Sequence, residues 1–225
     1  MRPLLRALVE LVFPPRCAAC GEPVAAEPFC PVCADAVDPV PAGCPRCGLP
    51  GADATCGACR ADPPAFDAVR SAALFGGPLA DAIHALKYGG RPALARPLGA
   101  WLASRVALPP GAEVVALPLA RGRRIARGYD QAGLLADVLA RESGARRLRG
   151  ALRRVRDTPP QVGRSRDERA RNVRGAFEAA PSAAGRDVVL VDDVVTTGAT
   201  ADAAARALRE VGARSVTVVS LARAE

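Results

Sequence analysis

The sequence contains no long hydrophobic run, although half of its 225 residues are hydrophobic. No stretch reaches the roughly 18 apolar residues that a membrane-spanning helix needs. Residues 2–13 are apolar but too short and too charged for a signal peptide, and they predict one amphipathic helix, ended by Pro14 and Pro15, that packs on a neighbouring domain. The missing membrane span and signal peptide predict a cytoplasmic protein.

Lysine, histidine and aromatic residues are also scarce, and aromatic residues make up only 4% of the chain. The single histidine, His84, is better interpreted as a surface or packing residue than as a ligand. Trp101 is expected in the core. Lys87 is the only lysine, so this position favours a compact ammonium over a planar guanidinium.

Positive charge is abundant but uneven. The net charge of the chain is +8, and residues 121–174 hold 16 arginines and only six acidic residues. Such a stretch binds phosphates or nucleic acids, or improves solubility. Tyr129 is the only aromatic residue within it, which gives weak support to base stacking.

All eight cysteines fall within residues 17–59, in four Cys-x-x-Cys pairs. Four thiolates at this spacing form a tetrahedral zinc site, so eight predict two sites. The short loops favour sequential pairing, although the sequence leaves an interleaved arrangement open. No ligand position remains for water, so both sites are predicted to be structural, and the module should unfold without metal. The predicted ligands are Cys17, Cys20, Cys30 and Cys33, then Cys44, Cys47, Cys56 and Cys59.

The remainder of the chain alternates strand and helix patterns, which predicts a parallel α/β domain. We predict the amino-terminal helix at residues 1–13, a double zinc ribbon at 14–62, a linker at 60–65 and the α/β domain at 66–225. Strands are predicted at 66–75, 113–119, 175–178, 188–191 and 215–221, and helices at 79–88, 92–106, 129–141 and 201–211. A capping box at 165–168 predicts one more short helix.

Residues 188–200 carry the strongest chemical signal. A β-branched run, 188–191, predicts a buried strand followed by Asp192 and Asp193 and then by the small, hydroxyl-rich loop Thr196, Thr197, Gly198, Ala199 and Thr200. Backbone amides at a helix start bind phosphate, whereas paired carboxylates suit ribose hydroxyls or a sugar bridged by Mg²⁺. The loop therefore predicts a phosphoribosyl site.

Two basic segments add candidate pyrophosphate or polyanion ligands beside Lys87. The first is a turn after the strand at 113–119, expected beside the phosphoribosyl pocket because it follows a strand end. The second lies in residues 153–166, which lack hydrophobic periodicity and suggest either a mobile lid or a plain solvated loop. The candidates are Arg121, Arg123 and Arg124 in the turn, and Arg153, Arg154 and Arg156 in the second segment.

The 188–200 loop resembles the signature of type I phosphoribosyltransferases, which hold phosphoribosyl pyrophosphate (PRPP) with Mg²⁺. The resemblance implies Asp192 and Asp193 on the ribose hydroxyls and residues 196–200 on the 5′-phosphate. The whole chain resembles the ComF family. Its motifs here are the Cys-x-x-Cys pairs, residues 86–88, 117–119, 127–132, 158–161 and 169–177, and the 188–200 loop. Asp130 departs from the family, which commonly has an amide at this position.

Membership of this family implies a zinc ribbon joined to a type I phosphoribosyltransferase-like domain, and a role in natural transformation. Three functions stay open: a PRPP-binding protein that handles incoming single-stranded DNA, a transferase on a nucleobase-like acceptor, and a PRPP-sensing adaptor without chemistry. Other competence proteins are possible partners. The sequence assigns no catalytic residue and leaves enzyme activity uncertain.

Overall fold

A four-stranded parallel sheet organises the computed structural model, which describes residues 14–24, 28–52, 54–157, 173 and 175–224. Its strands are β1 (Ala68–Leu74), β2 (Glu113–Ala116), β5 (Asp187–Val195) and β6 (Ser215–Arg223), in the order β1-β6-β5-β2. The short strands β3 (Leu152–Arg154) and β4 (Phe177–Ala179) form a separate antiparallel pair. The predicted parallel α/β fold is confirmed.

Among the described residues, two short helices precede the first strand and the other helices connect strands. The helices are α1 (Pro31–Asp35), α2 (Gly57–Ala61), α3 (Gly77–Tyr88), α4 (Ala95–Arg105), α5 (Arg121–Arg127), α6 (Gln131–Ser143) and α7 (Ala199–Glu210). Short 3₁₀ turns cover Pro92–Leu94 and Pro181–Ala183. Across the described ranges, no helix has both the length and the apolar character needed to cross a membrane. The helices predicted at 2–13 and from 165 lie outside the described residues.

Each face of the sheet has its own apolar core, because successive side chains of a strand point to opposite faces. Val189 and Val191 belong to the core formed with α3, α4 and α6. Val188 and Leu190 belong to the core formed with α7 and the β3–β4 pair. Helices α4 and α6 approach closely at Gly99, where a Cβ atom would lie 2.7 Å from the Val138 side chain. The buried strand pattern read from the sequence thus reflects a sheet covered on both sides.

The two cysteine clusters join different cores. Cys17 and Phe29 pack with the core of α3, α4 and α6, and the Phe29 ring meets Trp101 edge-on with ring centroids 5.6 Å apart. Cys44 and Cys47 pack with the other core. Trp101, predicted in the core, is half-buried against it. The cysteine-rich segment is therefore seated on both faces of the sheet.

Several details differ from the sequence prediction, among them the unpredicted strand β3, which pairs with β4 outside the parallel sheet. Strand β2 ends at Ala116 rather than at residue 119, because Pro118 has no N–H to donate to a neighbouring strand. Strand β5 continues through both aspartates to Val195, where it still pairs with Arg223 of β6. The predicted basic turn at 120–124 is instead the start of helix α5.

Candidate functional site

The cysteines form the two predicted clusters, with sequential pairing. Within each cluster the four Sγ atoms lie within 4.8 Å of one another. A tetrahedral zinc with Zn–S bonds of about 2.3 Å separates its sulfurs by about 3.8 Å. The Sγ atoms of Cys20 and Cys30 are 3.8 Å apart, and those of Cys47 and Cys56 are 3.7 Å apart. Both clusters therefore have the dimensions of a closed Cys₄ zinc site.

Backbone amides stabilise the thiolate form of one cysteine in each cluster. Burial raises the pKa of Cys17 and of Cys44, but hydrogen bonds from neighbouring backbone N–H groups outweigh it and lower both pKa values to about 6. A thiolate is the form of cysteine that binds zinc. The N–H of Cys56, for example, donates to the Cys44 sulfur at 3.4 Å.

A second site lies at the carboxyl edge of the parallel sheet, where a cleft of about 350 Å³ opens. Loops that follow β1, β2, β5 and β6 all contribute to it, as parallel sheets commonly arrange their ligand sites. Its charged lining is mixed. The acidic side chains are Asp130, Asp192 and Asp193, and the basic ones are Lys87, Arg123, Arg127 and Arg154.

The two adjacent aspartates have different partners. The Asp193 carboxylate is buried, accepts a hydrogen bond from Gln131 Nε2 at 3.0 Å and lies 2.8 Å from Lys87 Nζ. Asp192 Oδ1 instead accepts from the Asp193 backbone N–H at 2.8 Å. Since neighbouring residues of a strand point to opposite faces, the two carboxylates enter different environments. Both aspartates line the cleft, but the Asp193 carboxylate already has two side-chain partners within the protein.

Burial raises the pKa of Asp192 to about 7, and the adjacent charge of Asp193 adds to the increase although Lys87 opposes it. An anionic oxygen that is partly desolvated and repelled by its neighbour favours a partner that donates hydrogen bonds or carries positive charge. Sugar hydroxyls and a divalent cation are partners of that kind.

Lys87 and Gln131 complete this arrangement from distant parts of the chain. Lys87 lies in the last turn of α3, and Gln131 begins α6. Gln131 is 3% exposed, and within the described residues its Oε1 atom has no hydrogen-bond partner. The sequence singled out Lys87 for its chemistry. It gave Gln131 no role, because no local spacing links two residues 62 positions apart.

The predicted phosphate loop joins β5 to α7. Gly198 has φ of 78°, a left-handed conformation that residues with a side chain rarely adopt, and a Cβ atom there would lie 3.4 Å from the Phe66 ring. Thr197 Oγ1 accepts a hydrogen bond from the Ala199 N–H at 3.4 Å. Thr196 and Thr200 line the cleft directly. The loop therefore places hydroxyl groups and the amino end of a 12-residue helix beside the aspartates.

The second zinc ribbon and the linker support this loop. Arg223 is buried, and its guanidinium donates to the carbonyl oxygens of Val195 and Thr196 and, at 3.3 Å, to that of Cys47 in the second cysteine cluster. The Ala65 N–H donates to Asp202 of α7 at 2.6 Å. The start of the loop is thus hydrogen-bonded to the cysteine-rich segment.

The basic candidates separate into two groups. Arg123 and Arg154 line the cleft together with Arg127, to which the sequence gave no role. Burial and the nearby charge of Arg123 lower the pKa of Arg154, which indicates a crowded positive region. Arg121, Arg124 and Arg153 line a neighbouring groove of about 630 Å³ instead, and Arg156 is exposed. Of the three turn arginines expected beside the phosphoribosyl pocket, Arg123 lines the cleft itself, and the other two line the adjoining groove.

We call this second depression the arginine groove. It shares Arg154 and Asp130 with the cleft, so the two are continuous. Its charged lining comprises two aspartates, Asp130 and Asp137, and six arginines. The arginines are Arg121, Arg124, Arg147, Arg149, Arg153 and Arg154.

Two predicted features near the groove have structural partners. The first two amides of α5, those of Arg121 and Gly122, donate to the Asp157 carboxylate at 2.9 and 3.3 Å, so a side chain occupies the position proposed for phosphate. Asp130, which departs from the family pattern, accepts from the Gly133 N–H and caps α6.

The predicted lid begins with strand β3, so Arg153 and Arg154 lie in regular structure, and its residues 158–166 fall outside the described ranges.

Comparisons with known proteins agree with this organisation. A double zinc ribbon domain model matches residues 8–63, and a phosphoribosyl transferase domain model matches residues 126–225. The DNA utilization protein YhgH of Salmonella typhi is 35% identical over 224 residues, covering 95% of this chain and 99% of that protein. Competence protein F of Haemophilus influenzae is 39% identical over 114 residues, covering 49% of this chain and 50% of that protein.

A partial match occurs among solved structures. The glutamine PRPP amidotransferase from B. subtilis, solved with ADP and GMP, is 26% identical with a TM-score of 0.41, and the match covers 56% of this chain and 26% of that one.

Proposed function

The chain belongs to the ComF family, which joins a double zinc ribbon to a phosphoribosyltransferase domain, and from that premise we propose that it binds PRPP with Mg²⁺ in the cleft and handles single-stranded DNA in natural transformation. The names of two relatives, DNA utilization protein and competence protein F, support the DNA role. The chemistry of the cleft supports the PRPP role.

One observation carries the PRPP proposal: a carboxylate pair and a glycine-containing loop at a helix start share one cleft. PRPP combines ribose hydroxyls, which donate to carboxylates, with a 5′-phosphate, which accepts from backbone amides and hydroxyl groups. Asp192 would bind the sugar hydroxyls, and residues 196–200 the 5′-phosphate. Lys87, Arg123 and Arg154 line the same cleft and would bind the pyrophosphate.

Because Asp192 and Asp193 have different hydrogen-bond partners, we expect them to have different roles. Asp193 already has a lysine and a glutamine as partners, so we infer that it positions Lys87 while Asp192 meets the ligand. Mg²⁺ prefers oxygen ligands, and the Asp192 carboxylate together with ligand phosphates fits that preference. When bound, Mg²⁺ would neutralise part of the pyrophosphate charge.

The test is a calorimetric titration of PRPP and Mg²⁺ into the zinc-loaded protein at pH 8, where Asp192 is ionised. Asp192→Asn should weaken PRPP binding about 10- to 100-fold, the value of a charge-assisted hydrogen bond. Asp187→Asn is the matched control, because Asp187 starts the same strand and binds Ser215 at 2.7 Å, away from the cleft. Equal affinity of wild type and Asp192→Asn would overturn the proposal.

The same protein separates binding from catalysis. Incubation with PRPP and a panel of free bases, with pyrophosphate release as the readout, tests transferase activity. Release that depends on one base would favour the transferase over the DNA-handling function. PRPP binding with neither pyrophosphate release nor DNA affinity would favour the adaptor.

A further inference from the structure

Aromatic side chains from outside the basic stretch meet at the mouth of the cleft. The ring centroids of Phe75 and His84 are 5.8 Å apart, and those of His84 and Tyr88 are 6.2 Å apart. His84 and Tyr88 are four residues apart on α3, so they share one face of the helix. Phe75 and Tyr88 both line the cleft. The rings therefore form a continuous row that leads from the end of β1 to the surface.

Tyr88 ends this row and is unusually accessible. It is 74% exposed, although it stands at the carboxyl end of a helix whose other large residues are mostly buried. The Arg127 guanidinium lies over its ring, with Cζ 4.8 Å from the ring centroid. Arg127 Nη1 is buried, and no hydrogen-bond partner for it occurs within the described residues. A buried donor without a partner is costly, and here it lies beside an exposed ring, so one ligand could both stack on the ring and accept a hydrogen bond from the donor.

We propose that Tyr88 and Arg127 form a stacking site for a base of single-stranded DNA at the mouth of the PRPP cleft. The exposed tyrosine ring offers a π surface, which any base can stack on, and Arg127 Nη1 offers a hydrogen bond to the base edge. This inference rests on the proposed DNA-handling function and adds where a base would sit: beside Asp192 and Asp193, which line the same cleft.

The surroundings favour a base within a strand over a free base. The arginine groove continues from the cleft and carries a net charge of +4 on its lining, from six arginines and two aspartates. A free base has no phosphate to occupy that groove, whereas a strand with one base on Tyr88 has phosphates on both sides of it. Tyr129, the aromatic residue inside the basic stretch, is a poor alternative, because its hydroxyl donates to the Leu86 carbonyl and its ring packs against the core.

The experiment compares two probes on the full zinc-loaded chain. One is a fluorescent ten-nucleotide thymidine strand, and the other is an abasic strand of the same length and charge. Stacking predicts that Tyr88→Ala weakens binding of the thymidine strand about 5- to 100-fold, while binding of the abasic strand changes less than twofold. Tyr88→Phe keeps the ring and should retain wild-type preference for the thymidine strand.

Ile125→Ala is the matched control, because Ile125 is 72% exposed on α5 and lines neither the cleft nor the groove. It should leave both affinities unchanged. An equal effect of Tyr88→Ala on both strands, or no effect on either, would overturn the inference, as would a wild-type protein that does not prefer the thymidine strand. A wild-type protein that binds neither strand would instead refute the proposed DNA-handling function, so the two failures are distinguishable.

Discussion

Replacing Asp192 by asparagine should stabilise the protein at alkaline pH while weakening its ligand binding. Asparagine has nearly the same shape, and its Oδ1 can still accept the hydrogen bond from the Asp193 N–H. The substitution removes the charge that burial and Asp193 make unfavourable. Functional carboxylates commonly oppose stability in this way, because they are placed for a ligand that is absent from the free protein.

The size of the effect follows from the pKa of Asp192, which burial and the Asp193 charge raise from an ordinary 3.8 to about 7. Between these values the folded protein binds more protons than the unfolded chain, so its stability falls as pH rises and becomes constant above about pH 7. The asparagine variant has no carboxyl group at this position to ionise, so its stability does not fall for this reason. Each pH unit between the two pKa values changes the free energy of unfolding of the wild type by about 1.4 kcal/mol. The difference in unfolding free energy between the variant and the wild type should therefore grow by about 2 kcal/mol between pH 5.5 and pH 8.5.

Urea unfolding of both proteins across that pH range measures the difference directly, because the other titrating groups are common to both. Asp193→Asn serves as the contrasting variant. It removes the partner of Lys87, whose ammonium side chain is only 17% exposed, so it should destabilise the protein by about 3 kcal/mol. If Asp192→Asn is less stable than wild type at pH 8.5, or if its advantage does not change with pH, the account of Asp192 is wrong.

Three further outcomes follow from the zinc clusters and from the arginines. Metal analysis should find two zinc ions per chain, and disulfide-bonded cysteines with no metal would contradict the Cys₄ geometry. Arg223→Met should cost about 2–4 kcal/mol in urea unfolding, since buried carbonyl oxygens lose a charged donor, and a change below 0.5 kcal/mol would show that these bonds contribute little. Replacing Arg121 and Arg124 with glutamine should reduce the salt dependence of DNA binding by about 0.7 in log–log slope per arginine that neutralises a phosphate, and an unchanged slope would remove the groove from the DNA path.

The sequence predicted those features that depend on local pattern. Strand patterns separated by helical segments identified the parallel sheet, and cysteine spacing identified both cysteine clusters and favoured their sequential pairing. The 188–200 loop combined a strand, two carboxylates and a glycine within 13 residues, so a phosphoribosyl site could be predicted there without any distant contact. Strand and helix limits shifted by a few residues, as cooperative pairing with neighbours decides where an element ends.

The rest of the site depends on contacts that span long stretches of chain. Lys87 meets Asp193 across 106 positions, and Gln131 meets it across 62, so no local pattern predicts either contact. The start of α5 was read as a turn because of Gly122, but arginine is a good helix former and the distant Asp157 binds the first amides of this helix. Tyr88 was noted only as part of a motif, because its exposure and its arginine partner become visible only once α3 and α5 are adjacent.

The hydrogen bonds of Arg223 change how the linker at residues 60–65 should be regarded. A proline-rich connection usually marks a place where a chain can be divided into independent pieces. Here the Arg223 guanidinium bonds the Cys47 carbonyl on one side of that connection and the Thr196 carbonyl on the other. A fragment beginning at residue 66 would keep every candidate ligand for PRPP yet lose one anchor of its phosphate loop. Residues 66–225 are therefore not structurally independent of the zinc ribbon. Ligand binding or activity measured on that fragment alone would be measured on a phosphate loop with one stabilising hydrogen bond fewer.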